Sequence, residues 1–135
     1  SLGTGVLRYA SLLAVRTRQE AALEAASASG ASPVVTVGGD CGVEIASIGH
    51  AAAAHPGLAV VWLDAHADLN SPASSPSGAF HGMVLRAAIG EGVDGLDLPA
   101  GTVTPGRVVL AGVRALDDAE SDLVESRGIA LLGAD

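Results

Sequence analysis

Short apolar, β-branched runs alternate along this chain with alanine- and leucine-rich stretches, and glycine and proline punctuate the boundaries. Gly5–Ala28 has no interior glycine or proline and reads as a helix that stops at Gly30. Its charged positions Arg16, Arg18, Glu20 and Glu24 read as a solvated face. Ser32–Val37 (SPVVTV) opens with proline and is β-branched, the pattern of a buried strand. It runs into the tight turn Gly38-Gly39-Asp40-Cys41 and then an alanine-rich helix to about His55. Pro56-Gly57 breaks that helix, and Leu58–Leu63 is the next strand. A Ser/Pro/Gly-rich loop (Ser71–Ala79), a short helix (His81–Ile89) and an irregular stretch (Glu91–Gly106) follow. Arg107–Ala111 is a third strand, Asp117–Ser126 a helix with a capping-box start at Asp117 and Glu120, and Gly128–Leu132 a fourth strand. The alternation predicts an α/β fold with a parallel sheet covered on both faces, in one domain over residues 1–135. There is no internal repeat and no interdomain linker.

Composition narrows the class. With 135 residues, 49% hydrophobic and 16% charged, the chain can bury a core and is unlike a disordered one. Its apolar runs are too short to span a bilayer, and its opening residues lack a secretion signal. Cys41 is the only cysteine, which excludes an internal disulfide and suits a reducing cytoplasm. Fifteen acids against seven arginines, with no lysine, leave a net charge of −8. That balance argues against nucleic acid or an anionic membrane as partner and is compatible with a small cationic substrate. One Trp, one Tyr and one Phe supply no platform for stacking bases.

Candidate chemistry concentrates in Val60–Asp68, VVWLDAHAD. Asp64, His66 and Asp68 stand at i, i+2 and i+4, and in an extended chain they share one face. Two carboxylates and an imidazole at the end of a buried strand repel one another and lose hydration, and a divalent cation such as manganese relieves both. The plain alternative is a strand-to-loop transition in which an aspartate caps a turn. In open parallel sheets sites form at the carboxyl ends of strands. GGDC, DAHAD and the Gly112-Val113-Arg114 turn all fall there.

Together GGDC (Gly38–Cys41), HPGLAVVWLDAHADLN (His55–Asn70), SPSGAFHGM (Ser75–Met83) and GVRALDDAE (Gly112–Glu120) resemble the arginase, or ureohydrolase, family. The resemblance runs from about Pro33 to Leu132, and its spacing is closer to arginases than to agmatinases. It implies a three-layer α/β fold, only partly contained here, and a binuclear manganese site whose hydroxide attacks the guanidinium carbon of arginine, giving ornithine and urea. On the same resemblance Asp64 bridges both metals, with Asp68 on one and His66 on the other. His81 serves proton transfer, Asn70 and Ser77 contact the amino-acid end of the substrate, and Asp117 recognises its α-amino group. Without the resemblance, His81 is a satisfied histidine at a helix start and Asp117 a plain helix cap. The family implies a homo-oligomer for the full-length protein and a place in arginine metabolism.

Two departures stand out. Where the family has the histidine of GGDH, this chain has Cys41. A thiolate there favours zinc or iron over manganese, whereas a merely packed cysteine leaves one metal short of a ligand. The S-x-D-x-D motif that supplies the family's remaining carboxylates does not occur within these 135 residues, so the chain is expected to be a partial one, weakly active at best. Cys41 also motivates two rival readings. In one it is the nucleophile of a covalent guanidino hydrolysis with His81 as base. In the other the protein has lost catalysis and persists as a binding or assembly module.

Overall fold

Three short strands carry the sheet. In the computed structural model, which describes residues 3–30 and 32–133, Val60–Leu63 forms β1, Val108–Ala111 β2 and Ala130–Leu132 β3. They lie in the order β1-β2-β3 and pair in parallel, as the alternation of strands and helices predicts. The register sets Val60 opposite Val108 and Trp62 opposite Leu110, and all four side chains are buried.

Consecutive parallel strands joined by right-handed crossovers keep their connecting helices on one face. That face is the core. Val84 and Leu85 of α3 (Val84–Ala88) and Leu123 of α4 (Asp118–Arg127) join Trp62 and Leu110 in one apolar cluster. Ile45 and Ile48 of α2 (Glu44–Ala54) enter it as well, and α1 (Tyr9–Ala28) packs along α2. The expected cover on both faces is not there at β1. Strand alternation sends Val61 and Leu63 to the opposite face, where they are 66% and 83% exposed. The chain thus holds an α/β parallel sheet and only part of the three-layer arrangement.

Three further expectations are corrected. α1 starts at Tyr9 and not at Gly5, because Gly5 (φ 75°) and Arg8 (φ 55°) are both left-handed and a right-handed helix cannot include them. Its end is as predicted, with Gly30 at φ 80°. Arg16 is not on a solvated face: its guanidinium bonds Glu20 at 2.8 Å and the carbonyl of Leu96 at 2.6 Å, pinning α1 to the irregular stretch. Ser32–Val37 forms no strand and is not buried, since Val34, Val35 and Val37 are all exposed. A β-branched run becomes a strand only when a neighbour completes its ladder. Among the described residues β1 pairs with β2 alone, and a cleft of about 550 Å³ lined by Gly38, Gly39, Asp40, Cys41, Val43 and β1 opens beside it. The remaining elements lie near where expected, although the strands start one or two residues later. The helix expected from His81 is a 3₁₀ turn (Phe80–Met83) followed by α3, and the capping box at Asp117 and Glu120 is present. Among the described residues, no helix is long and apolar enough to cross a membrane.

Candidate metal centre

Each of the three turns at the carboxyl edge of the sheet is fixed by local chemistry. Asp40 is extended, and its Oδ1 accepts the Gly42 N–H at 2.8 Å, which starts the single 3₁₀ turn Cys41–Val43. Gly38 has to be glycine because a β-carbon there would strike the side chain of Val43. On β1, Asp64 N–H donates to the Ala111 carbonyl at 3.2 Å, so Asp64 is tied to the end of β2. The third turn, after Gly112, reaches back: the N–H groups of Arg114 and Ala115 donate to the Ala65 carbonyl at 2.9 and 3.1 Å.

Asp64 and Asp68 do converge, but not by strand alternation. β1 ends at Leu63, the chain bends through 64–66, and Asp68 takes a left-handed backbone with φ 53°, which aspartate tolerates better than most residues. One ligand atom from each of Cys41, Asp64 and Asp68 then lies within 4.8 Å of the others. The Cys41 thiol donates to Asp64 Oδ2 at 3.5 Å. His66 stays outside this group. Its ring is 66% exposed with Nδ1 3.6 Å from Asp64 Oδ1, and its backbone N–H donates to the same oxygen at 3.0 Å.

The segment from Asp68 to Asn70 is clamped from several sides. The Asp68 carbonyl accepts the N–H groups of Leu85 and Arg86 at 3.0 and 3.2 Å. Leu69 N–H donates to Glu120 Oε1 at 2.9 Å, and its carbonyl accepts Arg86 at 3.3 Å. Asn70 Nδ2 donates to Asp117 Oδ2 at 2.9 Å, while its Oδ1 accepts Ser74 Oγ at 2.7 Å. A pocket of about 310 Å³ brings together His66, Asp68, Asn70, Ser77, His81 and Asp117. Glu120 lines it too, although its spacing from Asp117 points only to a helix start. A carboxylate that is 4% exposed and serves two backbone N–H groups, those of Leu69 and Asp117, is more than a cap. Cys41 and Asp64 line the larger cleft instead. His81 and Ser77 are exposed at the pocket's rim, with Ser77 Oγ accepting the Ala79 N–H at 3.2 Å.

The electrostatics of the cluster favour a cation. Burial, then the carboxylates of Asp68 and Asp64, push the Cys41 thiol up to about 12. Burial is also the main reason Asp68 is raised to about 6; the Cys41 thiol and His81 pull it down while Asp64 and Glu120 add to the rise. Burial pushes Asp64 up as well, but the N–H of His66, the Cys41 thiol, the N–H of Ala65 and the His66 ring outweigh it, leaving this carboxyl below its ordinary value. Asp68 is only 4% exposed, yet among the described residues its Oδ2 has no hydrogen-bond partner. A buried carboxylate oxygen without a donor costs on the order of 1–3 kcal/mol or more. A divalent cation among these three donors would satisfy that oxygen and neutralise its neighbours, so the donor set fits one.

The chain is also similar to known proteins. Residues 3–135 match the Arginase family. The chain is 37% identical over 131 residues to arginase of Bacillus caldovelox, covering 93% of this chain and 44% of that protein. It is 34% identical over 126 residues to arginase of Staphylococcus aureus strain COL, covering 93% and 41%. Its fold superposes on the crystal structure of Bacillus subtilis arginase with a TM-score of 0.88 at 30% identity, over 96% of this chain and 46% of that one. The chain therefore spans less than half the length of these relatives.

Proposed function

This chain belongs to the arginase family, and on that premise we propose that the protein carrying it is a metal-dependent hydrolase of a guanidino compound, arginine above all, yielding ornithine and urea. The observation that carries the proposal is the cluster of Cys41, Asp64 and Asp68, whose donor atoms lie within 4.8 Å of one another, at a buried aspartate whose Oδ2 has no hydrogen-bond partner among the described residues. When bound, two divalent cations, manganese in the family reading, lower the pKa of water and supply a nucleophile at neutral pH. In this reading Asp64 would be a ligand common to both ions, Asp68 a ligand of one and His66 of the other, and together they would hold the cations that supply this chemistry. The donors Cys41, Asp64 and Asp68 could hold a single ion, and a second would need further carboxylates.

Residues of the smaller pocket would handle the substrate. Asp117 offers a carboxylate to the α-amino group, and its bond from Asn70 fixes its direction. Asn70 and Ser77 present neutral polar groups beside it, which can donate hydrogen bonds to the substrate's carboxylate. His81 sits exposed at the rim and faces Asp68, a place from which it can pass a proton between solvent and the leaving amine. Residues 1–135 are read as part of one domain of a cytoplasmic homo-oligomer.

The test is urea release by the whole protein with manganese, zinc, iron(II) or cobalt(II), comparing arginine with agmatine and guanidinobutyrate. Urea from arginine with any of these ions supports the proposal. Arginine binding without urea under every ion would overturn it and leave the binding or assembly module. Activity that survives exhaustive chelation would instead support the Cys41 nucleophile. Among the described residues the charged groups facing that thiol are carboxylates, which hold its proton on where a nucleophilic thiolate would need a cationic neighbour.

A further inference from the structure

Cys41 brings to the cluster a donor unlike its two companions. The Asp40 cap and the 3₁₀ turn already place its Sγ 3.5 Å from Asp64 Oδ2. Donors about 2.3 Å (sulfur) and 2.0 Å (oxygen) from a tetrahedral zinc ion lie about 3.5 Å apart. No rearrangement of the turn is needed to turn this hydrogen-bonded contact into two bonds to one ion. An independent observation concerns the same cluster: Asp68 is 4% exposed and its Oδ2 lacks a hydrogen-bond partner among the described residues.

We infer that Cys41 is a metal ligand and that the ion held by Cys41, Asp64 and Asp68 is a borderline-soft one, zinc or else iron(II) or cobalt(II), in preference to manganese. This rests on the cation-dependent reading above but not on its substrate. A thiolate and two carboxylates carry a charge of −3, which one divalent ion reduces to −1. The thiol proton leaves to buffer as the sulfur–metal bond forms. Sulfur shifts a site towards zinc, iron and cobalt, whereas oxygen donors alone suit manganese.

Zinc outranks manganese at almost any donor set, so tight zinc binding would decide nothing. The discriminating quantity is how the ratio of zinc to manganese affinity responds to Cys41. Calorimetric titration of the 135-residue chain with each ion is expected to show the ratio falling at least about tenfold in Cys41→Ser. Cobalt(II) should give an intense near-ultraviolet sulfur-to-metal charge-transfer band that Cys41→Ser and Cys41→His both lose. Circular dichroism guards against a variant that fails to fold, and in the unaltered chain zinc should shield Cys41 from alkylation. Cobalt bound without the band, or a ratio indifferent to Cys41, overturns the inference while leaving the cation-dependent hydrolase intact. Binding of no ion at all overturns the inference too. Urea release by the whole protein is read separately, so the two failures remain distinct.

Discussion

Asp68 is the residue at which this protein is least at ease without a cation. Its backbone is left-handed, its carboxylate is buried, and Cys41, Asp64, His81 and Glu120 face it. The folded chain holds its proton up to about pH 6, against an ordinary value of 3.8. Between those values the folded state binds more protons than the unfolded one, so stability is full below 3.8 and declines as pH rises through about 6. Asp64 acts in a different window. Its carboxyl lies below 3.8 when folded, so its contribution is present above that pH and lost only as pH falls further. Denaturant titration in chelator is therefore expected to show metal-free stability dropping by on the order of 3 kcal/mol as pH rises from about 4 to 7. Asp68→Asn should remove that drop. A difference between the two proteins that is level across the window, or of opposite sign, would contradict the burial argument.

At the scale of elements, the centre depends on α4 as much as on β1. Glu120 accepts Leu69 N–H and Asp117 N–H, so one carboxylate joins a helix start to the Asp68–Asn70 segment. Glu120→Ala leaves two N–H groups without their acceptor, at about 1–3 kcal/mol each. The expected loss is about 2–4 kcal/mol by chemical denaturation, with faster hydrogen exchange at the Leu69 amide. Glu120→Gln should recover much of it, because its amide oxygen still accepts. Unchanged Leu69 exchange in Glu120→Ala would show that the segment is held by α3 and Arg86 instead. Helices α2 and α4 were readable from the sequence because their signals are local: the Asp40 turn, the Pro56-Gly57 break and the Asp117–Glu120 spacing. DAHAD marks where Asp64 and Asp68 come together, but its alternation does not give their geometry, because a left-handed aspartate leaves no mark in the sequence. Ser32–Val37 was misread because strand formation depends on a distant neighbour. Glu120 was read as a cap, since nothing in its spacing says that Leu69 will lie against it.

At the scale of the whole molecule, the sheet is finished on one side only. Val61 and Leu63 project from the uncovered face into a cleft of about 550 Å³, β1 has β2 as its partner on one edge, and Val34, Val35 and Val37 are exposed as well. Relatives more than twice as long share this fold over the part the chain spans, so an apolar face bare in 135 residues has further chain available to meet it in them. Alone, the face has only solvent or another copy to meet. An exposed apolar face beside a strand edge is a pairing hazard. The isolated chain is therefore expected to self-associate with rising concentration in sedimentation analysis and to bind a hydrophobic dye at neutral pH. The double variant Val61→Lys with Leu63→Lys should suppress both effects. Because both side chains already lie largely in water, it should change stability by no more than about 0.5 kcal/mol. A larger loss would show that the face is covered in solution, and a dye-silent monomer in the unaltered chain would show the same.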